Sequence, residues 1–172
     1  MIAGKLNDFE SKKGEPTEKA VNEMYTSICN EEGVSFQDMC TGLCVIMGNY
    51  YLCLIQTEDD LYLRFVLEEL QKNVGKGPYL ENAWVLHFQE EVPESHFREW
   101  TCKQMPASGM NKEIKNWNQF ERLSHLYSNM LSLGDAVMKA LDSEKSFSQI
   151  AKLIKDTAVD NLPTGEELNS AL

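Results

Sequence analysis

The sequence predicts an α+β domain, and three observations predict it. Two dense apolar runs, Thr41–Met47 and Tyr50–Gln56, are separated only by Gly48-Asn49, the pattern of a β-hairpin with a two-residue turn. Segments with apolar residues at helical spacing flank the hairpin, and a long helical stretch closes the chain. Both faces of the hairpin are apolar, so its sheet must be covered on both sides, which takes more helix than one layer supplies.

The elements follow in order. Met1 to Leu6 reads as a short strand or a disordered lead, and Asn7 to Glu15 as a polar linker. Pro16 suits a first helical turn, and Val21, Met24, Tyr25, Ile28 and Cys29 recur on one face, which predicts a helix over 16–31 stopped near Gly33. In the hairpin, Met47 faces Tyr50, Val45 faces Leu52 and Leu43 faces Leu54 on one side; Ile46 faces Tyr51 and Cys44 faces Cys53 on the other. Asp59 or Asp60 caps a helix over 60–73 with Leu63, Val66, Leu67 and Leu70 inward, and Gly75, Gly77 and Pro78 end it. Asn82–Gln89 reads as a further strand, Phe97–Cys102 as a short one, and Met105–Gly109 as a loop. Lys112–Leu133, Asp135–Leu141 and Phe147–Thr157 are helical, the last behind a Ser146/Gln149 capping box. The expected organisation is a lead and linker (1–15), an α+β domain (16–104), helices that cover or extend from the sheet (112–161) and a frayed acidic tail (162–172). With the first strand counted, the order is that of a ferredoxin-like βαββαβ sandwich with a C-terminal helical extension.

Composition narrows the function. A chain of 172 residues with 42% hydrophobic content can bury a core without staples. Its 27 Asp and Glu outnumber 16 Lys and Arg, a net charge of −11 that repels phosphate backbones and anionic lipid. No nucleic-acid or membrane partner is expected. The odd number of cysteines, Cys29, Cys40, Cys44, Cys53 and Cys102, within apolar stretches fits free thiols in a reducing compartment better than a disulfide framework. No signal-peptide pattern or apolar stretch of about 18 residues occurs, so a cytosolic protein is expected.

No cluster of chemistry-bearing residues assembles a catalytic site. Cys40 and Cys44 are four residues apart on a strand, about 13 Å, too far for one zinc ion. Cys44 and Cys53 are cross-strand neighbours for which a disulfide is sterically conceivable, with paired free thiols as the competing reading. Glu90-Glu91 near His87 and His96 is the one suggestive acid–base group, and it lacks a nucleophile with a paired base. Gly75-Lys76-Gly77-Pro78 lacks phosphate-loop spacing and reads as a helix stop. Trp117, Phe120, Tyr127 and Met130 form a helical stripe with two readings, sheet-covering core or a partner-binding surface.

The stretch from Asp38 through Thr41-Gly42-Leu43, Gly48-Asn49 and Tyr50–Gln56 to Glu58 resembles the BLUF family, blue-light sensors that use FAD, and Phe97-Arg98-Glu99-Trp100 is similar to that domain's aromatic ending. The resemblance covers about residues 20–102. It implies a flavin between the first two helices and the sheet, held by a strand Tyr, a helix Asn and a strand Gln. Here the first strand has no Tyr, the Gln position falls on Cys53, and Asn22 and Asn30 lie in or beside the helix. Cysteine cannot replace a carboxamide that both donates and accepts. The chain more closely resembles an animal family of testis-expressed, flavin-free BLUF-like proteins of sperm flagella, through Thr57-Glu58-Asp59-Asp60-Leu61-Tyr62 and its helical C-terminus. That resemblance implies a non-enzymatic structural or adaptor protein of the ciliary or flagellar axoneme in the cytoskeleton. It implies no cofactor, and partners among axonemal proteins, tubulin and microtubule-associated complexes. The alternative is a flavin-binding sensor, in which Cys44, Ile46 and Cys53 would face Val21, Met24 and Ile28. Burying flavin carbonyls among such groups would cost about 1–3 kcal/mol each, which favours a filled core.

Overall fold

A computed structural model of the chain describes residues 1–7, 17–29, 33–76, 79–90, 95–104 and 119–142. The described elements are β1 (Ile2–Leu6), α1 (Thr17–Cys29), α2 (Phe36–Met39), β2 (Thr41–Met47), β3 (Tyr50–Gln56), α3 (Asp60–Asn73), β4 (Leu80–Val85), β5 (Trp100–Gln104) and α4 (Gln119–Asp142). The strands form one mixed sheet in the order β4-β1-β3-β2-β5. β1 runs antiparallel to both β3 and β4, β2 antiparallel to β3, and β5 parallel to β2.

The hairpin carries the register expected from its turn, with Met47 opposite Tyr50 and Cys44 opposite Cys53. Its two sides enter two separate cores. Leu43, Val45, Met47, Leu52 and Leu54 pack with Phe97 and with Leu126, Met130, Leu133 and Val137 of α4. Cys44, Ile46, Tyr51 and Cys53 pack with Val21, Met24 and Tyr25 of α1 and Val66 and Leu70 of α3. The sheet is thus sandwiched between α1 and α3 on one face and α4 on the other, as its two apolar faces require.

β1 is a definite strand near the middle of the sheet. Its sequence, Ile-Ala-Gly-Lys-Leu, has weak strand propensity, so the strand is made by pairing on both edges with partners about 50 and 80 residues away, which no local pattern reveals. β4 begins at Leu80 and ends at Val85, earlier than the apolar run suggests. β5 begins at Trp100 because Phe97 is drawn out of line to pack beside α4. The Gln56 side chain fixes that detour: its Oε1 accepts from the backbone N–H of His96 at 3.0 Å and of Phe97 at 3.3 Å.

Asp59 is the cap of α3, its Oδ1 accepting from the Leu61 N–H at 2.8 Å and the Tyr62 N–H at 3.2 Å. Val66 and Leu70 are buried as expected, Leu63 and Leu67 are half-buried, and Gly75 turns the chain at φ 67°. α2, a single turn whose Asp38 and Met39 N–H groups bond the Ser35 carbonyl, was not foreseen. α4 runs unbroken through Gly134, where two helices were expected. Glycine weakens a helix, yet here it lets the Phe97 ring lie against the helix backbone, since a Cβ at 134 would fall on that ring. The expected helix start at Lys112, the loop Met105–Gly109, the helix Phe147–Thr157 with its capping box and the tail 162–172 lie outside the described residues. No described helix is long and apolar enough to cross a membrane.

Candidate functional site

The interior between α1, α3 and the sheet is where titratable and aromatic groups converge. Helical spacing puts Val21, Met24 and Tyr25 of α1 on the inward face, and all three are buried. Opposite them, the strand register aligns three thiols in one row. Cys44 of β2 pairs with Cys53 of β3 on one side and with Cys102 of β5 on the other. Tyr25 and Cys53 share a hydrogen bond, Oη to Sγ 3.1 Å. Tyr51, two residues before Cys53 and so on the same face, lies over Gly4 of β1, where a Cβ would land on its ring. On this face β1 contributes Ile2, Gly4 and Leu6, with no hydroxyl, and β3 supplies the ring that occupies the space over Gly4.

An aromatic group closes the site toward β5. The Tyr25 ring stacks on Phe36 with centroids 4.9 Å apart, lies 5.1 Å from Trp100 and meets Tyr51 edge-on at 6.4 Å. Trp100 Nε1 donates to Asn22 Oδ1 at 2.9 Å, so the helix carboxamide is engaged by the chain itself. Asn30 lies outside the described residues.

Burial sets the protonation of this cluster. It pushes the Tyr25 hydroxyl well above its ordinary value of 10.0, helped by Cys53 and Tyr51. It raises the Cys44 thiol well above 9.0, reinforced by hydrogen bonds with Cys102 and Cys53. Tyr51 is raised in the same way. Cys53 moves the other way: burial disfavours its thiolate, but the neighbouring Cys44 and Tyr25, the N-terminal ammonium and the Ile2 backbone together outweigh that and lower its value.

A pH dependence follows. Tyr25, Tyr51 and Cys44 keep their protons in the folded chain after the unfolded chain has begun to release its own. Their stabilisation is complete below the ordinary values of 9.0 and 10.0 and is lost as pH rises through the folded values. Cys53 acts in the opposite sense, adding stability above 9.0, but it is one group against three. Urea midpoints measured with reductant from about pH 8 to about pH 11 should therefore fall, and a Tyr25→Phe, Tyr51→Phe double variant should flatten the decline. A constant midpoint in the parent chain would contradict this.

The two tyrosines should respond oppositely to loss of the hydroxyl. The Tyr51 hydroxyl is buried without a hydrogen-bond partner; Tyr25 lies close enough to favour its anion but outside bonding geometry. Tyr51→Phe should then raise stability by about 1 kcal/mol, whereas Tyr25→Phe, which strips Cys53 of its partner, should lower it by about 1 kcal/mol. Thermal melts that move both variants in one direction would refute the assignment.

The sequence-predicted candidates are distributed differently. Cys53, at the degenerate flavin position, is in this cluster and fully buried. Of the helical stripe, Met130 is 0% exposed and belongs to the core under α4, which corrects its reading as a partner-binding residue. Its place on the inward face, in line with Leu126, Leu133 and Val137, is the reason. Tyr127 is half-buried, its ring 4.8 Å from His87 and its hydroxyl donating to Gln89 at 3.4 Å. Trp117 lies outside the described residues, as does the Phe120 side chain. His87, Glu90 and His96 are exposed, and His96 is tied to Gln56 through its backbone. Among the described residues no group of three or more His, Cys, Asp or Glu has metal-holding geometry. In the thiol row Cys53 and Cys102 flank Cys44 from opposite strands, about 10 Å apart by strand spacing, too far to share one ion.

A cavity of about 60 Å³ is lined by Met1, Leu54, Leu63, His87, Phe97 and Tyr127 among others. It holds water-sized guests and is far below the roughly 300–1,000 Å³ of cofactor and drug sites. The cluster missed by sequence reasoning is Tyr25, Tyr51, Trp100 and Asn22. Glycine at position 4, inside an apolar strand, was the available signal, because it marks a close approach by a large neighbour.

No curated protein and no solved structure matches the chain. The family model of testis-expressed protein 47 matches residues 7–170, nearly the whole length and both helical and sheet segments, and the chain therefore belongs to the testis-expressed protein 47 family.

Proposed function

We propose that this chain is a non-enzymatic structural or adaptor protein of the sperm-flagellar axoneme, held in the cytoskeleton by contacts with other axonemal proteins. Membership of a testis-expressed family supports the setting. The observation that carries the reading is the filled interior: Tyr25, Tyr51 and Cys53, all 0% exposed, take up the space between α1 and the sheet with the chain's own side chains. Such an interior leaves the surface to do the work. The run β4-β1-β3-β2 with alternating strand direction, and α1 and α3 on one face, supports a ferredoxin-like, BLUF-like origin for the domain. β5, parallel to β2, and α4 on the opposite face are additions to that plan.

The net charge of −11 favours partners with a basic contact surface, microtubule-associated proteins included, and makes the association sensitive to salt. Fractionation of sperm tests the proposal. The protein should remain with detergent-extracted axonemes at low salt and be released at high salt together with its partners. Recovery only in the detergent-soluble fraction would overturn it.

A further inference from the structure

We propose that Cys44 and Cys53 are a redox-modified pair, forming a reversible cross-strand disulfide when a hydroperoxide oxidises the chain. Three features of the hairpin carry the inference. First, the two residues are direct partners in the β2–β3 ladder. Met47 and Tyr50 flank the two-residue turn and form a hydrogen-bonded pair; counting back by alternation, Ile46–Tyr51 and Cys44–Cys53 are non-hydrogen-bonded pairs. The Gly42 N–H, same parity as Cys44, points away from β3 and donates to the Glu99 carbonyl at 3.1 Å, as this alternation requires. Non-hydrogen-bonded partners have Cα atoms about 4.5 Å apart, inside the range a disulfide spans.

Second, both side chains enter the same buried core between the sheet and α1, so the two sulfurs lie on one face of the ladder. Third, the pair is chemically unequal. Cys53 shares a hydrogen bond with Tyr25, Oη to Sγ 3.1 Å, a contact that favours its thiolate, while burial holds the proton on Cys44. Cys53 is accordingly the nucleophile.

The step balances with a hydroperoxide as oxidant. The Cys53 thiolate attacks one peroxide oxygen, the O–O bond breaks, and with hydrogen peroxide the departing hydroxide takes up a proton to become water. The resulting sulfenic acid is attacked by Cys44 sulfur; the S–S bond forms, hydroxide leaves from Cys53, and the Cys44 proton converts it to water. Two thiols lose two electrons and the peroxide gains them. A dithiol reverses the step by thiol–disulfide exchange. Because both thiols are 0% exposed, oxidation proceeds through local opening of α1 from the sheet and is slow compared with an exposed thiol.

Hydrogen peroxide on the folded, full-length chain is the test, followed by alkylation, proteolysis without reductant and mass mapping. The expected product is one linked pair, Cys44 to Cys53, restored to free thiols by dithiothreitol. Its formation should be abolished by Cys44→Ala and by Cys53→Ala and preserved in Cys102→Ala. The oxidised chain should melt several degrees higher, since the link closes a short loop across the hairpin. Thiols that stay reduced until the chain is unfolded, a Cys44–Cys102 link in place of Cys44–Cys53, or links only between chains would each overturn the proposal.

Discussion

A Gly42→Val substitution is expected to destabilise the domain by about 3 kcal/mol or more, enough to leave a substantial unfolded fraction in a protein of ordinary stability. Gly42 sits at φ 150°, and a Cβ there would fall on the backbone carbonyl oxygen of Leu54. That oxygen cannot yield as a flexible side chain would, because it belongs to β3, which pairs with β1 and β2 on its two edges. The residue also anchors β5 through its N–H to the Glu99 carbonyl. Gly48, in the turn at φ 61°, is the control: no atom lies within 4 Å of its Cβ position. Gly48→Ala should therefore cost only the left-handed backbone penalty, roughly 1–2 kcal/mol. Urea titration of the two variants reads the difference, and equal losses would show that the close approach at Leu54 is not the cause.

Gly134 gives the second large effect, and its sign depends on another residue. Alanine is the better helix former by about 1 kcal/mol, so at an open position Gly134→Ala would stabilise α4. Here its Cβ would enter the ring of Phe97, which is 2% exposed and has nowhere to go. The expected outcome in the parent chain is a net loss of about 1–2 kcal/mol. Phe97→Ala alone should cost about 3–5 kcal/mol as a core truncation. In that background Gly134→Ala should become stabilising, giving a coupling of about 2 kcal/mol between the two positions. An additive pair would contradict the packing of α4 through this contact.

These positions show which parts of the fold were legible in the sequence. The β2–β3 register was, because a two-residue turn leaves one way to align the runs and both faces of the product are apolar. So was α3, whose start is set by a side chain two residues from the N–H it caps. β1 was not, since its strand character arises from pairing with β3 and β4 rather than from its own residues. Gly134 read as a break because helix propensity describes an isolated helix, whereas this glycine answers to Phe97, 37 positions away. Cys53 could be singled out by its place in the hairpin, but its partner Tyr25 could not, as a tyrosine at helical spacing looks the same whether it faces a thiol or a leucine. Met130 shows the same limit from the other side: one stripe served equally for core and surface until the sheet was in place beneath it.

A flavin titration of the purified chain decides whether Tyr25, Tyr51 and their neighbours fill the interior between α1 and the sheet. The protein should be colourless as isolated, and added FAD should show no change in fluorescence or absorbance attributable to binding. A yellow protein, or saturable FAD binding with an absorbance band that moves to the red under blue light, would mean that this interior opens to hold a ring system and is not filled by the chain's own side chains.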